Sequence, residues 1–138
     1  MSKVLDAFAI LAWMQGEAGF QEVRALLSLA ARSELTVYLS VINAGEVYYR
    51  LYKSSGEMQA SHFLKALQKK EFPWLLVPAG TKRVWQAAAL KGRYRLSYAD
   101  AFAVGLSLEM NATLVTGDPE ILALADQGVV NVDPLKKH

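Results

Sequence analysis

Four acids stand where they could do chemistry. Asp6 directly follows an apolar run at 3–5, Glu46 lies just past a second such run at 36–40, and Asp118 sits behind a third at 113–116. Asp100 precedes that third run, on a segment that reads as a helix beginning near Ser97. In an open α/β sheet, ligands bind outside the carboxyl ends of the strands. Asp6, Glu46 and Asp118 are therefore expected to face one crevice, with Asp100 brought to its edge. Carboxylates gathered in this way repel unless cations neutralise them, and hard oxygen donors suit Mg²⁺ or Mn²⁺. An ion so held can activate water and stabilise charge on a phosphoryl oxygen.

Each acid taken singly also fits a helix start. Ser97-x-x-Asp100 and Asn43-x-x-Glu46 have the spacing of capping boxes. Asp118 is followed by Pro119 as an N-cap is by N1, and Asp6 can cap the helix it opens. The case for a metal site rests on convergence of all four, which capping does not require.

The elements that must position these acids are legible in the hydropathy pattern. Strand candidates fall at 3–5, 36–40, 74–77, 113–116 and 129–132, short and nearly continuously apolar as buried parallel strands are. Between them lie helical periods, such as Phe20, Val23, Leu27 and Ala30, or Ala60, Phe63, Leu64 and Leu67. Alternating strands and helices predict an α/β/α sandwich with a central, mostly parallel sheet of four to five strands. No linker, repeat or low-complexity tract breaks the chain, so a single domain over 1–138 is expected.

Composition narrows the chemistry further. The 138 residues carry 15 Lys and Arg against 13 Asp and Glu, a net charge of +2, too small to imply nucleic-acid binding by itself. Absence of cysteine removes disulfides, thiolate nucleophiles, thiolate zinc sites and iron-sulfur clusters, and fits a reducing cytoplasm. The apolar start at 1–14 is interrupted by Asp6 and reads as mature structure rather than a signal peptide. No uncharged apolar stretch is long enough for a membrane span, so no membrane partner is expected.

Taken in order, Val4-Leu5-Asp6-Ala7-Phe8, Ser40-Val41-Ile42-Asn43-Ala44-Gly45-Glu46, Leu96-Ser97-Tyr98-Ala99-Asp100-Ala101 and Leu114-Val115-Thr116-Gly117-Asp118-Pro119 resemble a PIN domain. The subgroup that the chain is most similar to is the VapC-type ribonuclease toxins of toxin-antitoxin pairs, and the resemblance covers essentially its whole length. It implies that Asp6, Glu46, Asp100 and Asp118 form an acidic site for Mg²⁺ or Mn²⁺, with Thr116 and Ser97 as hydroxyl support. It further implies a metal-dependent endoribonuclease, cutting to a 5′-phosphate and a 3′-hydroxyl, a cognate VapB-type antitoxin and a homodimer. One departure is Phe8, where many members carry Ser or Thr, so a hydroxyl contribution from that position is absent.

The basic stretch of Lys82, Arg83, Lys91, Arg93 and Arg95, leading into Asp100, reads either as a solvated helix face and loop or, for at least some of the Arg, as a grip on RNA phosphates. Tyr94 and Tyr98 could stack on unpaired bases, or pack at a helix edge. The segment 43–53 is apolar on more than one side, and with Trp13, Met14 and Phe20 it could offer a groove to a partner helix or simply enlarge the core. His62 reads as a surface or packing residue, and His138 as a loose terminus.

Other classes fit less well. A phosphorelay receiver would carry adjacent acids after the first strand and a Lys after the last. An aspartyl phosphatase would carry Asp where Phe8 stands, and a nucleotide-binding P-loop is absent. The alternative to the nuclease is a catalytically silent PIN-like module that binds antitoxin or RNA without cutting.

Overall fold

Successive residues of the inner strands bury to opposite sides, and this alternation makes the layers. A computed structural model of the chain describes residues 1–135. Strand β1 (Ser2–Leu5) sends Val4 to one core and Leu5 to the other; β4 (Thr113–Thr116) divides Leu114 and Val115 in the same way. With β2 (Thr36–Ser40), β3 (Leu75–Val77) and β5 (Val132–Pro134) they form a five-stranded sheet in the order β3-β2-β1-β4-β5, parallel throughout.

Helices cover both faces. On one side α1 (Ala7–Gln15), α2 (Phe20–Ala31), α3 (Val41–Ser55) and α4 (Glu57–Gln68) bury Ile10, Val23, Val47 and Phe63 against Leu5, Leu39 and Val115. On the other, α5 (Thr81–Arg93), α6 (Tyr98–Met110) and α7 (Pro119–Asp126) bury Ala87, Val104 and Ile121 against Val4 and Leu114. This is the expected α/β/α sandwich. The chain steps from β1 outward to β2 and β3, then returns across to β4, so the β1/β4 pair is the point where strand order reverses. Crevices in doubly wound sheets open there.

Three local differences from the sequence reading have physical causes. The last strand begins at Val132 rather than Val129, because the Val129 N–H donates to Leu124 O and closes the end of α7, while Val130 is buried. Pro134, which has no N–H to donate, is accommodated on an edge strand. Helix α3 starts at Val41, since Ser40 ends β2 and caps the helix at once by accepting the Ile42 N–H at 3.2 Å. Asn43 and Glu46 therefore form no capping box. Asn43 lies in the first turn, fully buried, and donates Nδ2 to Ala99 O on α6 at 3.1 Å.

Third, Trp13 packs into the core. Its ring meets Phe72 and Trp74 edge-on, at 6.1 and 6.2 Å, inside an aromatic cluster of the core. Met14, Tyr49 and Tyr52 remain exposed. No helix among the described residues is long and apolar enough to cross a membrane. His138 lies outside the described residues.

Candidate active site

Three helices begin at the carboxyl edge of the sheet around the β1/β4 switch point, and each start is capped by a residue expected at the site. Asp6 caps α1, its Oδ1 accepting the Ala9 N–H at 2.9 Å. Ser97 caps α6 by accepting the Asp100 N–H at 3.1 Å. Asp118 caps α7, with Oδ1 accepting from Glu120 N at 2.9 Å and Ile121 N at 3.2 Å, and Pro119 fills N1. Capping and convergence thus coexist. The partial positive charge of each helix start also offsets part of the repulsion among acids, by about 0.3–1 kcal/mol for a charge in the first turn.

The acids fall into an inner triad and two flanking groups. Carboxylate oxygens of Asp100, Asp118 and Glu120 lie within 4.8 Å of one another, all three half-buried. Glu120 escaped the sequence reading. Its signal was an acid two residues past Asp118 on the same helix start, which dipole compensation explains equally well. Asp6 lies deeper, 1% exposed. Thr116 Oγ1 donates to its Oδ2 and accepts the Asp118 N–H at 3.0 Å, linking the first and last acids through one hydroxyl.

Glu46, in the second turn of α3, flanks the triad. Its Oε2 accepts from Arg50 at 3.0 Å, while Oε1 is buried without a hydrogen-bond partner.

Burial and the neighbouring acids act on these carboxyls together. Burial, opposed by the Thr116 and Ala9 hydrogen bonds and reinforced by Asp100 and Asp118, pushes the Asp6 carboxyl up from 3.8 to about 7. Burial and the neighbouring Asp118 raise Asp100 to about 6, with smaller contributions from Glu46 and Glu120 and a lowering by Ser97. Raised carboxyl pKa values clustered in a cleft are the mark of a site short of positive charge.

The remaining walls are aromatic and basic. Phe8, Tyr49 and Tyr98 line the cleft beside Glu46, Asp100 and Asp118. A Cβ on Gly117 would stand 2.4 Å from Phe8 Cε1, so with the ring placed as it is position 117 has no room for a side chain. Tyr98 is 43% exposed with its ring edge-on to Phe102, whereas Tyr94 packs into the core.

Of the basic stretch, Arg83 forks onto Glu109 at 2.9 and 3.1 Å and bonds Pro78 O, a brace between α5 and α6. Lys91 donates to Leu96 O at 2.9 Å, tying down the segment before α6. Arg95 approaches Glu120 at 3.5 Å and is almost fully exposed, and Arg93 and Lys82 are exposed. His62 is exposed on α4, away from these groups.

The donor set fits a divalent cation. Three carboxylates present hard oxygens at a mutual spacing one ion can span, Asp100 is held above its ordinary pKa by burial and by the neighbouring Asp118, and the buried Oε1 of Glu46 has no protein donor.

A family model for the PIN domain matches residues 3–127. Among curated proteins no match was found. Solved structures share the fold. VapBC2 from Rickettsia felis, bound to a DNA fragment from its promoter, has 17% identity over 99% of this chain and 100% of that one, with a TM-score of 0.71. VapC20 of Mycobacterium tuberculosis, a toxin that cleaves the sarcin-ricin loop, has 17% identity over 88% and 94%, also at 0.71. FitAcB from Neisseria gonorrhoeae has 18% identity over 94% and 95%, at 0.67.

Proposed function

The chain belongs to the PIN-domain family, and on that premise we propose that it is a metal-dependent endoribonuclease, the VapC-type toxin of a toxin-antitoxin pair. The observation that carries this reading is the triad of Asp100, Asp118 and Glu120, whose carboxylate oxygens lie within 4.8 Å of one another in an open cleft. Mg²⁺ or Mn²⁺ is the cofactor such oxygens suit, RNA the substrate, and a VapB-type antitoxin the partner. Asp6, Glu46, Asp100 and Asp118 are the proposed catalytic acids, now joined by Glu120. A homodimer acting in the cytoplasm, with 1–138 folding as one domain, completes the reading.

Phosphodiester hydrolysis needs an oriented water, charge stabilisation on the non-bridging oxygens and help for the leaving oxygen. A divalent ion held by Asp100, Asp118 and Glu120 would supply that charge stabilisation and make its water more acidic. The other residues prepare this site. Glu46, on the wall of the cleft beside Asp100 and Asp118, would serve as a further ligand or orient the attacking water. Thr116 fixes Asp6 beneath the triad and holds the backbone of Asp118 in register. Ser97 fixes the start of α6, so that Asp100 is presented rather than searching for its place.

Incubation of structured and single-stranded RNAs with the purified chain, in Mg²⁺ or Mn²⁺ and in EDTA, tests the reading. Metal-dependent cutting that disappears in Asp100→Asn supports it. Folded, antitoxin-free protein that cuts none of them would leave the silent binding module in its place.

A further inference from the structure

Arg50 pairs with Glu46 on the wall of the cleft, and this pairing leaves half of it unused. Its Nε donates to Glu46 Oε2 at 3.0 Å, and its Nη2 stands 3.0 Å from the same oxygen as an ion pair, one helical turn away. Guanidinium carries five N–H donors in a planar fork. The Nε/Nη2 edge is anchored, whereas Nη1 and the second Nη2 hydrogen have no protein partner among the described residues. The side chain is 56% exposed against 13% for Glu46, so the carboxylate is sunk in the wall and the guanidinium stands above it, lining the cleft. An arginine held on one edge by a nearly buried acid is preorganised to present its other edge, whose two parallel donors match two oxygens of a phosphate.

We propose that Arg50 clamps a phosphodiester of the RNA at the acidic cleft through its free Nη1/Nη2 edge, while Glu46 holds the opposite edge. The clamp rests on the ribonuclease reading above. It also answers a charge problem, since an anionic substrate must approach carboxylates that already repel one another.

The test uses the full chain and a fluorescein-labelled pool of random-sequence single-stranded RNA. Binding is followed by anisotropy in Ca²⁺ across a series of KCl concentrations, and cleavage of the same pool is followed in Mg²⁺. In Arg50→Gln the slope of log K against log salt should shrink by about 0.7, with roughly fivefold weaker binding near 0.1 M salt, as expected for one lost phosphate contact on a single strand. Arg50→Lys should keep the slope, because the charge remains, yet lose kcat/KM, because one ammonium cannot make two parallel bonds.

Binding and slope unchanged in Arg50→Gln would overturn the clamp, as would full cleavage by Arg50→Lys. Weaker Mn²⁺ binding by Arg50→Gln without RNA, read by calorimetry, would also overturn it and reassign Arg50 to ordering Glu46. Wild-type protein that neither binds nor cuts the pool brings down the ribonuclease reading itself. Wild-type cutting with an unaltered Arg50→Gln brings down the clamp alone.

Discussion

Thr116 and Asp6 meet through a buried hydrogen bond at the C-terminal ends of β4 and β1, the adjacent strands at which sheet order reverses. The same hydroxyl accepts the Asp118 N–H, so one side chain couples an acid in the floor of the cleft to an acid in its triad. The arrangement buries a carboxyl where its charged form is poorly solvated, and measurable consequences follow from that.

Replacing Asp100 by Asn should abolish cleavage while raising stability. Burial and the neighbouring Asp118 raise this carboxyl to about 6, so at pH 8 it is ionised in both states but carries a cost in the folded chain that the unfolded chain does not bear. An isosteric amide removes the repulsion and the ligand together, a common trade between stability and activity. At pH 8 without metal, the melting temperature of Asp100→Asn should exceed that of the wild type. A lower value would show that Asp100 is stabilising as it stands.

Stability of the metal-free protein should fall as pH rises from about 4 to 7. Asp6 titrates at 3.8 when unfolded and at about 7 when folded, so in that window the native state holds a proton that the unfolded state has released. Unfolding then releases protons and is favoured by raising the pH, on the order of a few kcal/mol across the window. Urea midpoints at pH 5 and pH 8 check this, and equal midpoints would refute it. Mn²⁺ should reverse the loss, because it replaces the proton as the countercharge.

Glu120→Gln should weaken Mn²⁺ binding by about tenfold or more, since it removes one of the three converging carboxylates. Calorimetry on the apo protein reads this directly. The smaller thermal shift on adding Mn²⁺ should parallel it, because an ion that binds only the native state stabilises by mass action. Unchanged affinity would place the ion among other acids.

Gly117→Ala should destabilise by about 1–3 kcal/mol, because the new methyl would fall 2.4 Å from Phe8 Cε1 and overpacked contacts cost on that scale. Gly117 is not in a left-handed conformation, so the cost comes from the ring and not from backbone strain. Phe8→Ala in the same chain should recover part of it. A double-mutant cycle by urea denaturation then shows a combined cost below the sum of the two, whereas additivity would mean that the ring is not the obstacle.

What the sequence determined by itself was the layering, the position of the acids and the helix starts beside them. Burial on alternate faces at Val4 and Leu5, and a cap residue at the head of a helix, are relations between near neighbours in the chain. They are read from order alone, as was the resemblance carried by Asp6, Glu46, Asp100 and Asp118.

Tertiary structure decided which of these groups meet. Glu120 joins the triad because the starts of α6 and α7, far apart in sequence, bring their acids within reach of one another. Asp6 lies beneath the triad because β1 and β4 are neighbours and Thr116 faces it. Arg83 is committed to Glu109, 26 residues on, and Trp13 to an aromatic cluster, by packing that no spacing announces. The physical reason is one of range. Periodicity and capping act within a turn or two of backbone, whereas the separation between carboxylates, and hence the charge they demand, depends on how distant elements dock.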